Sequence, residues 1–176
     1  LAVEIQERLA DMAERSIELN DLTQQMQVIQ DDLKNLGRYI TGSKVDMILC
    51  NPPYFKVDKK SNLNESQHYL LARHEISTNL EEICKIAQRV LKSNGRLAMV
   101  HRPERFLDIL DTMQAHNLAP KRIQFVYPKL GKEANMLLIE AIKDGSRDGL
   151  KILPPLFIHN QDGSYTPEIH EIYYGK

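Results

Sequence analysis

Strand-like apolar runs alternate along this chain with stretches of helical period, and that alternation limits the fold more than any other feature. Ile5, Leu9, Met12, Ala13 and Ser16 recur at helical spacing, which predicts a helix to about Leu19. Ahead of it, Leu1-Ala2-Val3-Glu4 reads as the end of a buried strand. Met26 to Ile29 is a short strand ending at Asp31-Asp32, and Val45 to Cys50 is an apolar strand stopped by Pro52-Pro53. Thr78 and Glu81 have the spacing of a capping box, opening a helix along Leu80, Ile83, Ala87, Val90 and Leu91 that Asn94-Gly95 ends. Arg96 to His101 is again strand, Phe106, Ile109, Leu110 and Met113 mark a helix, and Ile123 to Tyr127 and Asn135 to Ile142 are two more strands. Such alternation predicts a doubly wound α/β sheet, whose ligands sit beyond the carboxyl ends of the strands. One domain over residues 1–145 is expected, with 146–176 as a β extension holding two extended segments around Asp162-Gly163.

Composition closes off several function classes. With 176 residues, 42% hydrophobic and 27% charged, the chain suits one packed domain rather than a disordered tail or a coiled coil. No apolar run approaches the ~20 residues that span a bilayer, and the start lacks the layout of a secretory signal, so a cytoplasmic protein is expected. Cys50 and Cys84 are too few for a disulfide scaffold or a zinc site; both are expected to be buried apolar side chains, and no metal is expected. The net charge of −1 hides an uneven distribution. Acidic residues dominate from Leu1 to Asp32, whereas Lys85, Arg89, Lys92, Arg96, Arg102 and Arg105 face Glu104 alone between Cys84 and Phe106. Lys121, Arg122, Lys129 and Lys132 follow, so a basic face for a polyanion and solvated positions scattered over helices and loops are both open readings.

The chemistry concentrates at the end of the Val45–Cys50 strand. Two successive prolines hold the backbone extended and remove two donors, which leaves neighbouring carbonyls facing outward. Asn51 adds a side-chain carbonyl, Pro52 a backbone carbonyl, and Tyr54 a flat ring on which a planar group could stack. This set suits an amino group attached to a π-system. The amine of adenine is a poor nucleophile because its lone pair is delocalised into the ring, and two acceptors drawing its hydrogens out of plane would localise that pair. Asn51 is neutral and cannot serve as the base, so the proton is expected to leave to water. Two further strand ends carry acids: Glu4 stands where a Rossmann-like sheet places the carboxylate for ribose hydroxyls, and Asp32, in competition with Asp31, could accept from an adenine amine. A carboxylate at a helix start, favoured there by the dipole, is the plainer alternative for both.

These elements in order, Val3-Glu4-Ile5-Gln6-Glu7, Asp32-Leu33, Asn51-Pro52-Pro53-Tyr54-Phe55, Ala72-Arg73-His74-Glu75, His101-Arg102-Pro103-Glu104-Arg105 and Lys132-Glu133-Ala134-Asn135, resemble the bacterial tRNA (adenine-N6)-methyltransferases that modify the adenine 3′ of the anticodon in a valine tRNA. The resemblance covers nearly the whole chain. It implies a Rossmann-like class I methyltransferase sheet, mostly parallel with an antiparallel strand near the C-terminus. It also implies S-adenosyl-L-methionine as cofactor and tRNA as partner. Asn51, Pro52, Pro53 and Tyr54 would hold the target base, and Glu4, Ile5, Asp32, Leu33 and Asn51 the cofactor. One departure is large: no two of the eight glycines form Gly-x-Gly, so the first strand and its glycine loop are expected to be missing.

A base must leave its stack to reach such a site, and stacking on Tyr54 would return ~1 to 3 kcal/mol. Phosphate contacts are expected from Lys56, Lys59, Lys60, Arg73, Arg102, Lys121 and Arg122. His74 is a further candidate RNA contact, although for it and for His101 the commoner role is a satisfied structural side chain. Two other functions fit the same residues: methylation of a protein glutamine amide, which Asn-Pro-Pro-Tyr permits equally, and a non-catalytic RNA-binding module that has lost the cofactor loop. The basic segments and the lysine-rich stretch from Phe55 to Ser77 favour RNA over protein.

Overall fold

The computed structural model describes residues 1–52 and 80–175. Their order is β1 (Ala2–Glu4), α1 (Glu7–Leu19), β2 (Val28–Gln30), a 3₁₀ helix (Leu33–Arg38), β3 (Val45–Cys50), α2 (Leu80–Val90), β4 (Leu91–His101) and α3 (Phe106–Ala115), with a 3₁₀ turn (Pro103–Arg105) between the last two. Then follow β5 (Leu118–Lys129), β6 (Met136–Lys143), β7 (Lys151–Ile152), β8 (Leu156–His159) and α4 (Pro167–Tyr174). The expected α/β alternation is therefore present. Thr78, the proposed cap of α2, lies outside the described residues.

Chain direction follows from connection length. β1 and β2 are parallel across α1, and β3 and β4 pair in parallel with α2 between them in sequence, as crossover helices require. The short turn between β5 and β6 instead forces an antiparallel pair, and β6 also runs antiparallel to β4. β7 and β8 then add to β5 in parallel. The outcome is the mixed, mostly parallel sheet that was expected, with β6 as its reversed strand, in the order β3-β4-β6-β5 and β7 and β8 beyond. β1 and β2 form a separate two-stranded sheet, so the doubly wound arrangement is interrupted between β1 and β3.

The two faces of the large sheet differ. On one, α2 and α3 cover Leu97, Met99, Leu137, Ile139 and Ile123, all 0 to 2% exposed, with Ile83, Cys84, Ile109 and Met113 from the helices. On the other, Leu49 is 77% and Met47 47% exposed, so β3 is an edge strand covered on one side rather than the fully buried strand its apolar run suggests. A smaller cluster of Ala10, Ile17 and Val28 ties α1 to β2. Leu33 packs onto the main core, and Arg89 of α2 lies so close over Gly37 that a side chain there would collide with it.

Two local differences from the sequence expectation have physical causes. β4 begins directly after Val90, and its register against β3 shifts between Val45 and Met47, because Asn94 adopts a φ of 64° and Gly95 packs under backbone. A Cβ at Gly95 would lie 2.8 Å from the Lys92 carbonyl oxygen, so Asn94-Gly95 makes a bulge at the strand start rather than an open loop. The tail is not a β extension throughout. His159 and Tyr165 form a single antiparallel bridge, after which Thr166 caps α4 by accepting from the Ile169 amide, with Pro167 in the first turn. A capping threonine followed by a proline specifies a helix start more strongly than alternation specifies a strand.

Leu97, fully buried in the second-ranking strand from the sheet edge, tests this packing. Leu97→Ala is expected to lower unfolding stability by ~2 to 5 kcal/mol with an unchanged denaturant slope, measured by urea titration.

Candidate active site

β3 ends at Cys50, and its register against β4 sets Cys50 opposite Met99, which puts Asn51 at the carboxyl rim of both strands. Asn51 is exposed and the following Pro52 is buried, so the proline anchors the chain beside an exposed residue. Asn51 lines an open hollow of about 490 Å³ on the uncovered sheet face, walled by Leu49, Ala98, Val100 and Leu138 and closed on the far side by Arg122 and Gln124. Pro53, Tyr54, Lys56, Lys59, Lys60, Arg73 and His74 lie outside the described residues.

The other candidates cluster at the carboxyl ends of β1 and β2. Glu4 pairs with Gln30 in register, and its carbonyl accepts from the Asp31 amide at 3.1 Å. One carboxylate oxygen of Glu4 accepts from the Gln6 amide at 2.9 Å, which orients the group at the strand end. Asp31 and Asp32 divide two tasks. Asp31 accepts from the Asp32 amide and the Asn35 amide group, each at 2.7 Å, and from the Tyr39 hydroxyl at 2.8 Å. Those bonds, led by Asn35 and then Tyr39, hold its carboxyl below the ordinary value. Asp32 caps the 3₁₀ helix through the Lys34 amide at 2.9 Å. Asp31 is thus the more heavily engaged of the two half-buried acids, and Asp32, flanked by Leu33, keeps one carboxylate oxygen beyond its capping bond. Ile5 is 44% exposed beside Glu4, an apolar surface next to a carboxylate.

Several basic candidates are tied to the protein itself. Lys121 donates to the Ser146 and Asp148 carbonyls, and Arg102 donates to the Asn135 carbonyl at 3.1 Å, which staples the end of β4 to the start of β6. Lys92 pairs with Asp46, Arg96 with Glu140 and Arg105 with Asp108. Arg122 stays exposed at the hollow, while the paired cations of the Cys84–Phe106 segment serve the scaffold. Sequence reasoning missed the walls of the hollow. Their signal is the apolar character of the alternate residues Ala98, Val100 and Leu138, which do not face the helices.

Burial pushes the Cys50 thiol up to about 11 and the Cys84 thiol up to about 12, so both are protonated, unreactive groups at neutral pH. Among the described residues no cluster of His, Cys, Asp or Glu could hold a metal ion, and no helix is long and apolar enough to cross a membrane.

His101, at the rim, is 3% exposed, and its Nδ1 accepts from the Arg102 amide at 2.8 Å, which requires the neutral ring. Burial first, and the Arg105 charge second, hold it below the ordinary value of 6.5. The unfolded chain therefore takes up this proton first as pH falls. The stability involved is whole above 6.5 and is lost as pH drops through the lower folded-state value. Thermal melts from about pH 8 to about pH 5 should show the midpoint falling below 6.5, with that part of the fall removed in His101→Leu; equal profiles for the two proteins would refute this.

Comparison with known proteins places this geometry. No family model matches the chain. It is 27% identical over 169 residues to a tRNA1(Val) (adenine(37)-N6)-methyltransferase of Porphyromonas gingivalis strain W83, covering 94% of this chain and 65% of that protein. It is 26% identical over 175 residues to the protein of the same name from Bacteroides fragilis strain YCH46, covering 98% and 72%. The chain thus spans about 65% of the length of the first of these relatives. Among solved structures, a predicted O-methyltransferase from Agrobacterium tumefaciens superposes with a TM-score of 0.75 at 22% identity, over 98% of this chain and 76% of that one. Fibrillarin from Methanococcus jannaschii gives 0.54 at 14% identity, over 82% and 56%. The fold is the Rossmann-like sheet of class I methyltransferases.

Proposed function

We propose that this chain carries the catalytic and substrate-side part of a cytoplasmic, S-adenosyl-L-methionine-dependent enzyme that methylates N6 of an adenine in tRNA, the adenine 3′ of the anticodon of a valine tRNA. The observation that carries the proposal is Asn51, exposed at the carboxyl end of β3 and held by a buried Pro52, in a sheet of class I methyltransferase architecture. The names of the curated relatives support the same substrate.

The residues present fit such a cofactor in donor chemistry. Glu4 and Asp32 are carboxylates at neighbouring strand ends, suited to ribose hydroxyls and to an adenine amine, and Ile5 and Leu33 offer apolar surface beside them. When bound, S-adenosyl-L-methionine supplies an electrophilic methyl group on a cationic sulfur.

The chain's own work is orientation. The Asn51 side-chain oxygen and the Pro52 carbonyl accept the two amine hydrogens, which turns the nitrogen lone pair out of conjugation and toward the incoming methyl. Pro52 and Pro53 have no amide hydrogen with which to compete for those acceptors. Asn51 takes no proton, so the cationic product amine loses one to water. Tyr54, two residues beyond Pro52, offers a ring on which the base stacks.

Two substitutions separate the roles. Asn51→Ala is expected to lower methyl transfer to bulk tRNA by about 100-fold or more while cofactor affinity in calorimetry stays within a few-fold. Glu4→Ala is expected to weaken cofactor binding by about 10-fold or more, with transfer recovering at high cofactor concentration. Full turnover in Asn51→Ala, or transfer to glutamine-containing peptides in place of tRNA, would sink the reading.

A further inference from the structure

The described tail carries a row of aromatic rings that the fold does not use as core. His159 stacks on Tyr165 at 5.2 Å and 23° between planes. Tyr165 meets Tyr173 at 5.6 Å, Tyr173 meets Tyr174 at 6.1 Å, and Tyr174 meets His170 at 5.0 Å. Tyr165, Tyr173 and Tyr174 are nevertheless 43%, 66% and 65% exposed. The anchoring of α4 is done by other groups: Ile169, 3% exposed, packs with Val126 and Leu156, and the Thr166 hydroxyl donates to the Phe157 carbonyl at 2.7 Å. The turn before it is held by Asp162, which accepts from the Ser164 amide and hydroxyl, and by Asn160, which donates to Ser164 and to the Tyr165 carbonyl. The rings are therefore displayed on a fixed support.

Their position adds a second observation. His159 pairs with Lys129 in the parallel register of β8 and β5, and Lys129, Lys132 and His159 border a shallow hollow that also includes Glu133. β3, β4, β5 and β8 all present their carboxyl ends along the rim where Asn51 stands. From β3 to β8 the path crosses four inter-strand steps, about 19 Å at the usual spacing. One substrate can reach both places.

We infer that the row His159, Tyr165, Tyr173 and Tyr174 is a stacking platform for unpaired bases of a single-stranded RNA loop, whose backbone enters over Lys129 and Lys132. Exposed rings with polar edges, held in contact with one another at tilts of 23° to 53°, suit nucleobase faces, and each stacked base contributes ~1 to 3 kcal/mol without regard to sequence. The acids Glu168 and Glu171 on α4 disfavour phosphates lying along the helix, so the helix end contacts bases and the two lysines contact phosphates. The inference rests on the proposed tRNA reading and names where the rest of the loop is held while one adenine is at Asn51.

The test measures binding of the full protein to a fluorescent anticodon stem-loop across a salt series. Tyr165→Ala with Tyr173→Ala is expected to weaken binding by about 10-fold or more without changing the salt slope. Tyr165→Phe with Tyr173→Phe keeps binding, which separates stacking from misfolding. Lys129→Gln with Lys132→Gln is expected to reduce the slope by about two. Alanine variants that bind the loop within about twofold of wild type, with an unchanged KM for tRNA, overturn the platform while leaving the methyltransferase reading intact. So does a change of oligomeric state in sedimentation without loss of RNA binding, because the rings then cover a second copy of the chain. Ring-dependent loop binding by a protein that transfers no methyl group to tRNA upholds the platform and overturns the reading it was built on.

Discussion

The parallel register of β3 against β4 is the constraint from which the candidate site follows. Cys50 opposite Met99 sends alternate residues of β3 toward α2 and α3 and leaves Leu49 on the open face with Asn51 at the rim. A slip of one residue would exchange the faces and bury the wrong set. The bulge at Asn94-Gly95 allows the register to be reached after a helix that ends at Val90, because it absorbs the extra residues between the first pair, Val45 with Leu91, and the next, Met47 with Arg96.

Around that pairing the molecule is asymmetric. α2 and α3 bury one face of the large sheet, while the other holds an open apolar hollow and the small cluster under α4. The acids proposed for cofactor binding stand on a separate two-stranded sheet, tied to the main core by Leu33 and by the packing of Arg89 over Gly37. The two halves of the proposed reaction are thus carried by different sheets, and the 3₁₀ helix from Leu33 to Arg38 is a described connection between them. Its start is fixed by Asp31 and Asp32, so the acidic pair that shapes the turn includes the carboxylate proposed for the cofactor.

Among the described residues, the groups at the β3 end of the rim are neutral. Asn51 is neutral, His101 is a buried neutral ring whose Nδ1 is occupied by a backbone amide, and both cysteines are held as thiols. The proposed methyl transfer is compatible with neutral groups, since its electrophile is already activated and its nucleophile needs only its lone pair aimed. The same rim continues to β5 and β8, where lysines and displayed rings replace carbonyl acceptors.

Much of this was legible in residue order. Strand and helix periods located nearly every element, since each is a local property of side-chain spacing, and Asn51-Pro52 marked its strand end because two prolines stop a ladder whatever surrounds them. That Asn51 is neutral, and so cannot itself serve as a base, was equally legible. Other features required the folded chain. That Asp31 accepts three hydrogen bonds while Asp32 accepts from the Lys34 amide depends on Asn35 and Tyr39 arriving from the next turn. That Lys121, Arg96 and Lys92 serve the scaffold depends on partners 25, 44 and 46 residues away. The tail became a helix with an exposed aromatic row because a capping threonine and the burial of Ile169 outweigh strand propensity. Local pattern determines where an element forms, whereas only tertiary packing decides which of its groups are used up inside the protein and which are left to face a ligand.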